Sequence, residues 1–147
     1  MKKFLIPLLS LALVLMLSGC TEESAAVLAL SDADLSGTDE IRMQNAHNGQ
    51  FTVISDPDDI AQITAFIQSV SGTDSGSGKG YYEGTYQLQF YREETLLFSI
   101  AFGDSDCFYT GKGPDGYPLR YLLPEKTVQE RVIPFLSRYD ESGFDWN

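Results

Sequence analysis

Histidine occurs once, at His47, and tryptophan once, at Trp146. A single imidazole leaves little for chemistry that depends on a histidine base, and it lies in a predicted turn, far in sequence from either cysteine. Basic residues are also few: ten Lys and Arg stand against 21 Asp and Glu. Beyond the first three residues they are scattered as Arg42, Lys79, Arg92, Lys112, Arg120, Lys126, Arg131 and Arg138, so no stripe exists to neutralise a run of phosphates, and nucleic acid is excluded as a partner. Long apolar runs are absent except at the start, where residues 4–17 are broken only by Pro7 and Ser10. A helix that crosses about 30 Å of hydrocarbon needs about 20 apolar residues, so this run is too short to span.

What is there begins with a signal. Lys2 and Lys3, the apolar run and then Ser18-Gly19-Cys20 follow the three-zone order of an export peptide. Leu17-Ser18-Gly19-Cys20 resembles the lipobox of bacterial lipoproteins. The resemblance implies cleavage before Cys20, a diacylglycerol on its thiol, and two or three acyl chains in all. Two chains suffice for stable anchoring. The expected location is the extracytoplasmic side of the cell membrane. With Cys20 taken by lipid, Cys107 has no partner for an intrachain disulfide, and a buried or half-buried strand position is expected for it.

Removal of residues 1–19 leaves eight basic against 21 acidic side chains, a formal charge of −13. Such a chain is repelled by anionic lipid, so the anchor rather than the protein surface is expected to make the membrane contact. Residues 20–40, rich in Ser, Ala, Asp, Glu and Thr, read as the lipidated cysteine and a flexible tether, and residues 41–147 as one domain.

Within that domain, residues 41–46 and 51–54 flank Asn48-Gly49, a hairpin signal. Asp56-Pro57-Asp58-Asp59 opens a helix with a cap, a proline at the first position and acids at its positive end. Ile60, Ile63, Phe66, Ile67 and Val70 give it one apolar face. Residues 72–80, GTDSGSGKG, read as a flexible loop. Alternation then predicts strands at 85–91 and 95–102, with shorter ones at 106–111 and 117–122, paired as a meander. Thr127 and Glu130 have capping-box spacing ahead of a C-terminal helix that Pro134 is expected to kink. The expected fold is α+β: an antiparallel sheet of five to six strands, an N-terminal hairpin plus a meander, with two helices on one face. The D-P-D-D-I helix start and the paired TYQLQFYREETLLFSIAF strands resemble small extracytoplasmic domains of unknown function in bacterial lipoproteins and membrane sensor proteins.

No catalytic constellation emerges. Gly103-Asp104-Ser105-Asp106 resembles the start of the GDSL hydrolase motif, but its fourth position is aspartate and no histidine follows, so a turn is expected. The spacing around Lys79 fails a phosphate loop, and Met43 stands where a calcium loop from Asp32 needs glutamate. Asp104, Asp106 and Asp115 are the candidates for a looser metal site, with solvated turn acids as the expectation; no metal and no cofactor are expected. Seven of the eight tyrosines fall between Tyr81 and Tyr121, and parity puts Tyr91 and Tyr109 on the sheet face away from the core, making them the candidate contact residues. For Trp146, packing onto the sheet is expected over an exposed role. The functional expectation is a non-enzymatic binding domain for a protein, peptide or cell-wall ligand. The alternatives are a glycan-processing enzyme working with carboxylates alone and a structural or inhibitory module.

Overall fold

The computed structural model describes residues 25–78 and 84–146. The signal peptide, Cys20, Lys79, Tyr81 and Tyr82 lie outside these residues. The protein is α+β, with one antiparallel sheet and two helices. The strands are β1 (Val27–Ala29), β2 (Glu40–Asn45), β3 (Phe51–Ile54), β4 (Ser71–Ser77), β5 (Gly84–Arg92), β6 (Thr95–Gly103), β7 (Cys107–Thr110) and β8 (Leu119–Leu122). They lie in the order β1-β4-β8-β7-β6-β5-β2-β3. The expected hairpin and meander are both present, as β2-β3 and β5-β6-β7-β8. Five to six strands was nevertheless an underestimate, because two segments that read as non-structural join the sheet.

The first correction is β4, which occupies part of the glycine-rich stretch expected to be a loop. Gly72 explains why. A Cβ there would lie 2.6 Å from Phe108 Cε1 and 2.8 Å from Tyr121 Cβ. Those two rings stack at 5.1 Å and close over the backbone, so the neighbouring strands supply the packing that this strand's own side chains lack. The second is β1, which falls inside the expected tether and pairs Val27, Leu28 and Ala29 with Thr73, Gly72 and Ser71. Behind it Leu30 and Leu35 are 2% and 3% exposed, so the folded unit starts well before residue 41.

Helix α1 (Pro57–Gln68) begins as its sequence dictates: the Asp56 carboxylate accepts from the N–H groups of Asp58 and Asp59 at 2.9 and 3.2 Å. It buries Ile60, Ile63 and Ile67 against Ile41, Met43, Leu88, Phe90 and Ile100 of the sheet. The C-terminal helix is less regular. A π-turn (Val128–Val132) leads into α2 (Ile133–Leu136), and a 3₁₀ turn (Ser137–Tyr139) follows. Pro134 donates no bond and its ring crowds the carbonyl four residues back, so the chain widens ahead of it, with Ile133 N–H reaching Val128 O. Thr127 makes no side-chain cap. Instead the Asp106 carboxylate accepts from Lys126 N–H at 2.6 Å and Val128 N–H at 2.8 Å. Phe66 of α1 stacks on Phe135 of α2 at 4.1 Å, which places both helices on one face of the sheet. Among the described residues no helix is long and apolar enough to cross a membrane.

Candidate functional site

Alternation along each strand sends one set of side chains under the helices and the other to the opposite face. On β2 and β5 the second set is Glu40, Arg42, Gln44, Gln87, Gln89 and Tyr91, paired as Arg42 with Gln89, Gln44 with Gln87 and Glu40 with Tyr91. The Arg42 guanidinium lies 4.2 Å from the Tyr91 ring centroid and pairs with Glu40 at 2.5 Å, while Tyr91 donates to Gln89 at 3.1 Å. This side of the sheet is therefore a polar, half-buried platform whose charged member is braced by an aromatic ring.

Both candidate tyrosines reach this face, but the structure does not bring them together. Tyr109 pairs with Ala101, which pairs with Gln87, four residues along β5 from Tyr91. Strand spacing and rise put the two about 16 Å apart. Tyr109 is also partly covered, since Gly78, leaving β4, crosses so close that a Cβ there would sit 2.6 Å from the Tyr109 ring. Burial first, and then the thiol of Cys107, push the Tyr109 phenol above its ordinary value. Cys107 is fully buried at the start of β7, within the buried or half-buried strand setting expected for it.

The three metal candidates are separated by their hydrogen bonds. Asp106 caps the C-terminal helix. The Asp115 carboxylate accepts from Ser77 Oγ and Tyr117 N–H. Asp104 lies 3.5 Å from His47 Nε2. Among the described residues no three His, Cys, Asp or Glu side chains group to hold an ion. The Gly103-to-Asp106 segment is the expected turn, and Ser105 Oγ contacts Cys107 Sγ at 3.9 Å.

Trp146 folds back onto the sheet, as expected, and the residues that sequence reasoning missed are the ones it joins there. Trp146 Nε1 donates to Tyr86 Oη at 2.9 Å, Tyr86 donates to Asp140 at 3.0 Å, and Asn45 Nδ2 donates to the same Asp140 oxygen at 2.7 Å. His47 packs edge-on to Trp146 at 4.9 Å and stacks with Phe144 at 5.6 Å. Burial pushes the Asp140 carboxyl up, but bonds from Ser142, Asn45 and Tyr86 outweigh it and hold the group below its usual range. Burial foremost, then the bond to Asp140, raises the Tyr86 phenol. Asn45 was the one available signal, as a polar residue in a core-facing register position.

Beside this network runs a groove of about 340 Å³ between β3, the start of α1 and residues 138–141. Asp56, Asp59, Asp140 and Glu141 line it, with Arg138 as the cation. Arg138 is turned onto Phe135, 4.4 Å above its ring, and its Nε donates to Phe135 O. No known family, no curated protein and no solved structure matches this chain.

Proposed function

We propose that the chain is a membrane-anchored extracytoplasmic lipoprotein whose domain binds a protein, peptide or cell-wall ligand without converting it. The observation that supports this best is the one-sided architecture: both helices cover the same face, and the other carries the Arg42–Gln89–Tyr91 platform with apolar Phe51 and Val53 exposed at its rim. A sheet face left to solvent between an anchored end and a free edge is a surface on which a partner can lie. The lipobox at Leu17-Ser18-Gly19-Cys20 supports the anchoring half of the reading.

Two measurements test it. Cys20→Ala should move the full chain from the membrane to the soluble fraction of its host, and unchanged membrane retention would end the anchoring claim. Thermal unfolding with cell-wall fragments or peptides should raise the midpoint, since ligand at a hundred times its dissociation constant adds about 2.7 kcal/mol. A second reading, carboxylate-only glycan cleavage, draws on the four acids of the groove. That reading is met by release of reducing ends from the same fragments and by its loss in Asp59→Asn. Asp140, held ionised by its bonds, suits an anchor better than a general acid.

A further inference from the structure

The sheet ends at β3, and its outer edge carries no strand among the described residues. Asn45 N–H donates to Gln50 O, and antiparallel ladders alternate bonded and non-bonded pairs. Counting from that pair, Thr52 and Ile54 turn their backbone groups toward β2, whereas Phe51 and Val53 turn theirs out of the sheet. The side chains of Phe51 and Val53 are 63% and 58% exposed on the helix-free face. On the other face the edge borders the acidic groove, where no hydrogen bond or ion pair among the described residues engages the carboxylates of Asp59 or Glu141.

We propose that the outer edge of β3 takes up an extended peptide in which lysine or arginine alternates with apolar residues, adding it to the sheet as a ninth strand. The inference rests on the binding reading above and specifies its partner. Main-chain bonds to Phe51 and Val53 supply the attachment and alternate side chains the selectivity. Side chains pointing to the helix side enter the groove, where cations meet Asp59 and Glu141. Those pointing the other way lie along Phe51 and Val53. The occupant is not a second copy of this chain, because pairing two β3 edges would bring two acidic grooves together with Arg138 already committed to Phe135. The formal charge of −11 further steers cationic peptides inward.

The test uses the full chain in neutral detergent and a dye-labelled seven-residue peptide alternating Lys and Val, read by fluorescence anisotropy. Binding is expected, with amide exchange slowed at Phe51 and Val53. Val53→Pro removes an outward N–H at a position where an edge strand tolerates proline, and it should weaken binding at least tenfold. The pair Asp59→Asn with Glu141→Gln leaves the backbone intact and should weaken it similarly, as should a rise in salt. A peptide with Glu in place of Lys should not bind. No binding at millimolar peptide overturns the proposal, as does affinity indifferent to both sets of substitutions or equal for the Glu peptide. Self-association abolished by Val53→Pro overturns it in favour of a second copy. Binding lost in Tyr91→Ala and kept in Val53→Pro overturns the edge while leaving the binding reading standing.

Discussion

Asp106 holds the start of the C-terminal helix from 20 residues upstream, through bonds to Lys126 N–H and Val128 N–H. A helix cap is typically worth about 1 kcal/mol and at most about 2. Asp106→Ala is therefore expected to lower stability by about 1–2 kcal/mol in a thermal or denaturant titration, with the helix-free sheet face unchanged, whereas Thr127→Ala should do far less because its side chain caps nothing. Asp140 makes a pH prediction. Its folded carboxyl titrates below the ordinary value, so the stability it contributes is complete above the unfolded value of about 4 and is lost as pH falls through the lower folded one. The stability gap between wild type and Asp140→Asn should thus be flat near neutrality and shrink below about pH 4. A gap that closes instead between pH 5 and 7 would place the linkage on another group. The Asp56 cap could be read from sequence because its partners lie within three residues. Asp106 could not, because only the folded sheet carries it to Lys126.

Elements tell a similar story about range. The β2-β3 hairpin and the meander rest on alternation within a few residues, and the sequence shows both. Strand β4 has no such pattern: a Ser and Gly stretch becomes a strand because Phe108 and Tyr121 close over Gly72. Gly72→Ala should accordingly destabilise the fold by about 1–3 kcal/mol through overpacking against backbone and rings, and a neutral result would show that β4 contributes little. The β5-β6 turn offers the opposite case. Glu93 and Glu94 both have positive φ, 45° and 65°, in a two-residue turn that favours Asn-Gly. Replacing them by Asn and Gly should raise stability by about 1 kcal/mol, a few degrees in midpoint. The candidate contact face was legible in the same uneven way. Parity alone put Tyr91 and Tyr109 on it, but the crossing of Gly78 over Tyr109 depends on where the chain goes after β4.

For the whole molecule, the position of β1 redraws the boundary of the folded unit. A chain shortened to begin at residue 41 loses β1 and the buried Leu30 and Leu35, whose removal from water is worth about 1.5–3 kcal/mol each. Such a chain should melt markedly lower or fail to fold, as circular dichroism would report. A shortened chain as stable as the full one would restore the 20-residue tether. Under the proposed lipid anchor, the same boundary would also set the altitude at which the domain works. Only seven peptide steps separate Cys20 from Val27, at most about 25 Å of extended chain, so a lipid on Cys20 would hold the β1 edge almost against the bilayer. The β3 edge lies seven strand spacings away, about 34 Å at 4.8 Å each. A domain moored so tightly would sweep a thin shell over the membrane, meeting strands that rise a few tens of ångströms from the same surface far more often than anything free in the surrounding fluid.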